Sequence, residues 1–199
     1  DDDKSDSGST GPALEDLQFR PATIYSGFDG TNTYLTPFAV YNAEDDVEVK
    51  ASPADAVTIS KKTLVKPDGD EGQYYFVESK KAGEVMLTVT SKGRTATGTL
   101  KIASYTTASY DTGKARYGTD VDQAHPACTK CHGGTGIDHS PSALARVTDE
   151  KVGLIMSTGL STGGNLIAID KTTYPDGHKW TTGPGDEQDG LITYLRALP

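Results

Sequence analysis

The sequence contains few residues of several types, and each shortage excludes a class of site or structure. Its 199 residues include two cysteines, two methionines and one tryptophan. With only Cys128 and Cys131 available, a structural zinc site lacks the additional Cys or paired His ligands that it normally requires. No hydrophobic run approaches the roughly 20 residues needed to cross a bilayer. The sequence therefore predicts neither a zinc finger nor a transmembrane helix.

Positive charge is also scarce. Lys and Arg number 19 against 28 Asp and Glu, which gives a formal net charge of -9. Proteins that bind nucleic acid draw much of their affinity from basic side chains that neutralise phosphates. The composition argues against a nucleic-acid partner and favours protein partners that carry a basic docking face.

The first 16 residues are polar, acidic and rich in Gly and Ser. Such a segment cannot bury enough apolar surface to offset the entropy of ordering it, so residues 1–16 are predicted to be a flexible leader. Two origins stay open. The leader is either a tether to a lipid anchor on a membrane surface, or Asp-Asp-Asp-Lys is part of an engineered protease-cleavage scar.

Residues 17–104 carry a pattern typical of strands. Runs rich in β-branched and aromatic residues recur between turn residues, at 33–41, 47–50, 57–60, 74–77, 85–90 and 95–102. Val85, Leu87 and Val89 have the period-2 spacing of a half-buried strand. About seven such strands predict a β-sandwich, and the pattern resembles bacterial immunoglobulin-like domains of the group 2 type. With eleven acids, ten bases and no His or Cys, this domain is expected to be a spacer or docking module.

After a Ser- and Thr-rich linker at about 103–109, the pattern becomes helical over 105–199. Helices are predicted near 111–118, 148–159 and 186–198. In the last of these, Leu191, Tyr194, Leu195 and Leu198 recur at the spacing of one helix face. Its acidic first turn complements the positive end of the helix dipole.

Between the first two helices lies Cys128-Thr129-Lys130-Cys131-His132, the C-x-x-C-H signature of covalent c-type haem attachment. Cys128 and Cys131 would form the thioether bonds, and His132 would be the proximal iron ligand. A dithiol redox pair is disfavoured because no βαβ unit surrounds the motif. A simple disulfide or two free thiols remain as alternatives.

The stretch from Tyr110 to Pro199 resembles the single-haem class I cytochromes c. The resemblance rests on the C-x-x-C-H motif, on Gly113 and Tyr117 in the first helix and on Tyr194 in the last. It implies one covalent haem c and an electron carrier rather than an enzyme. An acidic segment at 119–126 departs from the family pattern. The predicted fold is an all-β immunoglobulin-like sandwich followed by an all-α class I cytochrome c fold.

The resemblance also places the distal iron ligand on a loop before the last helix, where the family usually has Met. Met86 belongs to the predicted sandwich, and Met156 lies in the middle helix, only 24 residues after His132. His178 follows His132 by 46 residues and lies on the expected loop. We therefore expect His178 to be the distal ligand, with Met156 as the alternative and His139 or an open site behind it.

Other residues are expected to form the haem pocket. The aromatic and aliphatic candidates for its wall are Trp180, Tyr174, Ile155 and Leu154. His139 is expected to be either a loop residue or a hydrogen-bond partner of a haem propionate, and His125 to be a surface residue. Replacing a Met ligand by His should lower the reduction potential.

These features together predict an exported protein, periplasmic or on the outer cell surface, that passes single electrons to protein redox partners. Export is inferred because bacterial haem attachment of this kind occurs outside the cytoplasm. One alternative is a haem sensor or weak peroxidase with a labile sixth ligand. Another is an adhesion or scaffold protein in which haem is incidental.

Overall fold

The computed structural model describes residues 15–44, 47–63, 67–132, 139–181 and 183–198. Residues 1–14 of the predicted leader lie outside these ranges, so the leader remains a prediction. Among the described residues, the chain forms eight strands, one short 3-10 turn at Ala54–Ala56 and five helices.

The strands occupy the first half of the chain. They are β1 (Gln18–Arg20), β2 (Thr23–Phe28), β3 (Leu35–Tyr41), β4 (Glu48–Ser52), β5 (Val57–Lys62), β6 (Gln73–Ser79), β7 (Gly83–Ser91) and β8 (Arg94–Ser104). One sheet has the order β1-β3-β6-β5, and the other has the order β2-β8-β7-β4. All neighbours pair antiparallel except β2 and β8, which pair parallel.

The predicted β-sandwich is confirmed. On β7, Val85, Leu87 and Val89 are almost fully buried, whereas Met86 on the opposite face is 52% exposed. The turn at Lys92 and Gly93 returns the chain into β8, with both residues at positive φ. Alternation along these strands therefore located the inner face of this sheet correctly.

Two strands, β1 and β2, were not predicted. The first is only three residues long, and the second contains Ser26 and Gly27, which disrupt a β-branched run. Gly27 is required for packing, because a Cβ added there would lie 2.1 Å from the Tyr105 ring. The formation of β2 therefore depends on the tertiary contact with Tyr105 rather than on local strand propensity.

The helices follow the sandwich. They are α1 (Thr107–Gly118), α2 (Thr129–His132), α3 (Pro141–Leu144), α4 (Asp149–Thr158) and α5 (Asp186–Arg196). Helix α1 begins within the segment predicted as a linker, with Thr106 as its N-cap. Helix α4 is capped at its start by the Thr148 hydroxyl and ends at Gly159, which has a φ of 70°. These two caps are the signals expected for such a helix.

Helices α1 and α5 cross at a pair of glycines, Gly113 and Gly190. A Cβ added to Gly113 would lie 1.8 Å from the Gly190 carbonyl oxygen. Around this crossing, Tyr117, Val152, Met156, Leu191 and Leu195 form a second buried cluster. The close backbone approach depends on both positions lacking a side chain.

The helices also contact the sandwich directly. Ala145, just after α3, is 2% exposed and belongs to the sandwich core. Its carbonyl oxygen accepts a hydrogen bond of 2.9 Å from the Tyr25 amide of β2. Tyr105, between β8 and α1, packs on Tyr34 with ring centres 5.9 Å apart.

The prediction of an all-α class I cytochrome c fold after the sandwich is wrong. Most of the regular structure is β, and the helices are short, three of 10 to 12 residues and two of four residues. Local amphipathic periodicity located individual helices correctly, but it carries no information about the fold that they join.

Candidate functional site

A single helical turn brings the residues of the C-x-x-C-H motif together. The amides of Cys131 and His132 both donate to the Cys128 carbonyl oxygen, at 3.2 and 2.9 Å. The two thiols are not joined in a disulfide; Cys131 is exposed and Cys128 is partly buried. Burial raises the pKa of the Cys128 thiol, so this sulfur is protonated at neutral pH.

The segment leading into the motif is held in place by Arg116 and Asp120. The Arg116 side chain is buried; its Nε donates to Glu187 at 2.6 Å and its Nη1 donates to the Pro126 carbonyl oxygen at 3.1 Å. One carboxylate oxygen of Asp120 accepts from the Ala127 amide at 2.7 Å. Its other oxygen pairs with Lys130 at 2.6 Å, which lowers the Asp120 pKa. These contacts fix Cys128 relative to α5.

The loop between α4 and α5 brings His178 to the motif. The Trp180 amide donates to the Met156 carbonyl oxygen at 2.8 Å, and the Ile167 amide donates to that of Gly159, also at 2.8 Å. Gly159 lies directly under the His178 backbone, since an added Cβ would meet its carbonyl oxygen at 3.3 Å. Two backbone hydrogen bonds and one close glycine contact thus position this histidine.

His132 and His178 face one small pocket of about 190 Å³. Its lining residues are Pro126, Ala127, Cys128, Cys131, His132, Ile167, Ala168, Ile169, His178 and Trp180. The two imidazole rings are 6.1 Å apart between centres and nearly perpendicular, at 85°. The pocket is mostly apolar apart from the two thiols and the two imidazoles.

Burial sets the protonation of His178. It lowers the pKa of this imidazole, the nearby His132 acts in the same direction, and the Ile155 carbonyl partly offsets both effects. The ring is therefore neutral at pH 7, which is the form that binds metals. Its Nδ1 is buried with no hydrogen-bond partner among the described residues.

A third histidine, His139, lies against His132. Its ring stacks on that of His132 with centres 3.6 Å apart and 16° between planes. Its Nδ1 is 3.3 Å from the Tyr117 hydroxyl. Three histidines therefore lie close together, although the described residues contain no group of three or more His, Cys, Asp or Glu side chains arranged to hold a metal ion.

The remaining predicted pocket residues divide into two groups. Trp180 is buried and lines the pocket, with its indole edge-on to His178 at 5.3 Å and to Tyr174 at 5.7 Å. Leu154 and Ile155 instead line a separate surface groove, and Leu154 is 49% exposed. Met156 is 5% exposed within the helix cluster and does not line the pocket.

Sequence reasoning missed several residues that shape the site. Ile167 and Ile169 supply apolar walls, and their alternation within a Gly-rich segment was the available signal. Arg116 and Asp120 gave no local signal, because their partners are identified only after the chain folds.

The comparisons with known proteins give only distant structural matches, each over about half of this chain. No family model matches the chain, and no curated protein matches it. Among solved structures, domains 4 and 5 of the S-layer protein SbsC are 15% identical over 47% of this chain and 54% of that one, with a TM-score of 0.37. The M1 domain from titin is 8% identical over 45% of this chain and 95% of that one, with a TM-score of 0.33. A larger fragment of SbsC, domains 1 to 6, matches over 14% of its own length.

These identities and scores are too low to support any conclusion about function. No family model assigns the chain to the class I cytochromes c, and the described residues contain no group of three or more His, Cys, Asp or Glu side chains that could hold a metal ion. The resemblance to a class I cytochrome c domain, and the cytochrome, haem and electron-transfer classification taken from it, therefore gain no support. Among the described residues, no helix is long and apolar enough to cross a membrane.

Proposed function

We propose that the C-x-x-C-H motif binds one haem covalently through Cys128 and Cys131, and that the protein transfers single electrons. His132 and His178 would hold the haem iron in this proposal. One observation carries it: a shared pocket collects both thiols of the motif, its histidine and a second histidine 46 residues away in sequence. The proposal concerns this site and implies nothing about the surrounding fold.

The donor set fits a porphyrin-held iron better than a bare ion. A porphyrin would supply the other iron ligands, so the protein would need only two side-chain ligands. Two imidazoles that hold one metal ion between them have ring centres up to about 6 Å apart, because each metal–nitrogen bond is about 2 Å and each centre lies about 1 Å beyond its nitrogen. The centres of His132 and His178 are 6.1 Å apart.

A buried polar atom also fits a ligand at this site. His178 Nδ1 is buried without a partner among the described residues, although buried polar groups are normally hydrogen-bonded. Backbone contacts hold the ring in place, so the cost of burying Nδ1 without a partner would be offset if this nitrogen bound the metal. Ile167 and Ile169 would then keep water away from the bound group.

Haem iron supplies reversible one-electron oxidation and reduction. Two histidine ligands leave no position for a substrate, which favours electron transfer over peroxidase chemistry. The enclosed space of about 190 Å³ is smaller than the roughly 300 Å³ or more of an ordinary organic ligand site. This space would not enclose a whole haem, so part of the haem would be exposed to a redox partner.

The partner and the location follow from charge and chemistry. From Tyr105 onward there are 11 acids and 8 bases, which suits a partner with a basic docking surface. Thioether formation to haem points to an exported protein, periplasmic or on the outer surface. The sandwich would act as a spacer or docking module.

The test is to produce the protein together with haem-attachment machinery and record its absorption, mass and electron paramagnetic resonance. We expect a mass increase of one haem and a low-spin oxidised spectrum without a sulfur-to-iron band. Cys128→Ser with Cys131→Ser should abolish covalent attachment. His178→Met should introduce the sulfur band and raise the potential, because Met favours ferrous iron.

His125→Ala is the matched control, because this histidine lies outside the pocket and pairs with Asp122 at 2.9 Å. Its spectrum should match that of the unmodified protein. Absence of any bound haem would exclude the proposal. A high-spin spectrum with ready binding of carbon monoxide would instead favour a sensor or weak peroxidase with an open iron.

A further inference from the structure

A second site lies where the sandwich meets the helices. A cleft of about 390 Å³ opens between the β1-β3-β6-β5 sheet and the segment around α3. The sheet supplies Arg20, Pro37, Tyr41 and Tyr74, and the helical side supplies Ser142 and Arg146. The cleft is separate from the histidine pocket and shares no lining residue with it.

The two arginines of this cleft differ from the other arginines of the chain. Arg94, Arg116 and Arg196 each form an ion pair with a carboxylate. Arg20 and Arg146 are exposed, and neither side chain has a hydrogen bond or ion pair with another described residue. They are 126 positions apart in sequence and share a cleft only because α3 packs on the sandwich.

Two guanidinium groups without an acidic partner among the described residues are unusual in a chain with a net charge of -9. The guanidinium group is planar and presents paired donors that match the oxygens of a carboxylate or phosphate. Two such groups bring positive charge to this cleft in an otherwise acidic protein. This arrangement selects an anionic ligand.

The tyrosines add acceptors and flat apolar surface. The guanidinium carbon of Arg20 lies 5.5 Å from the ring centre of Tyr41, a cation–π contact that positions the charge. Tyr74 donates its hydroxyl proton to Asp70 at 2.5 Å, so in its 3.2 Å contact with Tyr41 it must be the acceptor. The Tyr41 oxygen then retains lone pairs for a ligand hydroxyl.

We propose that this cleft binds an anionic sugar, a single hydroxylated ring that carries a carboxylate or a phosphate. Arg20 and Arg146 bind the charged group, the Tyr41 oxygen accepts from a ring hydroxyl, and Pro37 contacts the apolar ring face. The volume lies at the lower end of that of small-ligand sites, roughly 300–1,000 Å³, and so fits one ring rather than a long chain.

Isothermal titration calorimetry on the full chain tests this with four probes: glucuronate, glucose 6-phosphate, glucose and inorganic phosphate. At least one of the two anionic sugars should bind about tenfold more tightly than both glucose and inorganic phosphate, because charge-assisted hydrogen bonds add to those of the hydroxyls. The stronger of the two identifies the charged group. Equal binding of glucose or of inorganic phosphate, or no binding of either anionic sugar, would overturn the proposal.

Variants test the assigned contacts. Arg20→Gln and Arg146→Gln should each weaken the better anionic sugar about tenfold or more, and Tyr41→Phe about threefold or more. Lys50→Gln is the matched control, since it removes one positive charge from an exposed position on β4 in the other sheet. A similar loss in Lys50→Gln, or unchanged binding in folded Arg20→Gln and Arg146→Gln, would contradict the site. Circular dichroism of each variant checks that it folds. If an arginine variant unfolds, Tyr41→Phe still tests the site, because it removes one hydroxyl and keeps the ring.

Discussion

At the scale of single residues, glycine has its clearest role where α1 crosses α5. Gly113 is buried against the backbone of Gly190, with room for hydrogen but not for a methyl group. Gly118 lies on the same helix, is exposed, and would meet no atom within 4 Å if it carried a Cβ. Substitutions at these two positions therefore distinguish the effect of helix–helix packing on stability from the effect of helix propensity.

Gly113→Ala should lower the free energy of unfolding by about 3 kcal/mol or more, because the added methyl forces the helices apart. Gly118→Ala should be neutral or stabilising by up to about 1 kcal/mol, since alanine is the better helix former. Urea denaturation followed by circular dichroism measures both. Equal effects at the two positions would mean that the crossing is not tightly packed.

The local sequence identified the C-x-x-C-H motif directly, but it identified His178 only indirectly. The spacing of Cys128, Cys131 and His132 fixes their proximity within one turn, whatever surrounds them. His178 was chosen through a resemblance to a family whose fold assignment proved wrong, yet it lines the same pocket as the motif. Its role as an iron ligand stays a prediction until the spectra are recorded.

At the scale of elements, one buried arginine joins the ends of three helices. Arg196 in α5 donates to the Leu144 carbonyl oxygen at the end of α3, at 2.6 Å, and to that of Val147. It also pairs with Asp149 in the first turn of α4 at 2.8 Å. Asp149 accepts a further bond of 2.6 Å from the Tyr105 hydroxyl.

Arg196→Met should destabilise the protein by about 3 kcal/mol. Removing the arginine leaves two part-buried carbonyls without this donor and the Asp149 carboxylate without its ion pair, and the value is at the low end for a buried pair because Asp149 is 34% exposed. Arg196→Lys keeps the charge but not the forked geometry, so its loss should be smaller. Thermal and urea unfolding measure both variants, and a methionine variant as stable as the unmodified protein would show that these contacts contribute little.

At the scale of the whole molecule, the helices and the sandwich share buried contacts. Ala145 lies in the sandwich core, and Tyr105 packs between Gly27 and Tyr34 while its hydroxyl reaches α4. Only Tyr105 and Thr106 separate β8 from α1. We therefore expect the described parts to unfold together.

Cooperativity can be tested with two probes. Circular dichroism near 216 nm reports the sheets, and fluorescence of Trp180, the one tryptophan of the chain, reports the helical part. Their unfolding curves should coincide in the unmodified protein. Ala145→Asp, which places a charge in the sandwich core, should shift both curves together. Two well-separated transitions would mean that the parts unfold independently.

The sequence by itself determined what local pattern can encode. Alternation on β7 set its buried face, Thr148 and Gly159 bounded α4, and the C-x-x-C-H spacing grouped two thiols with an imidazole. Tertiary structure alone decided that β2 pairs in parallel with β8, that His178 faces His132, and that Arg20 and Arg146 share a cleft. Local preferences act over a few residues, whereas these pairings join distant segments whose contacts form only when the whole chain buries its apolar surface.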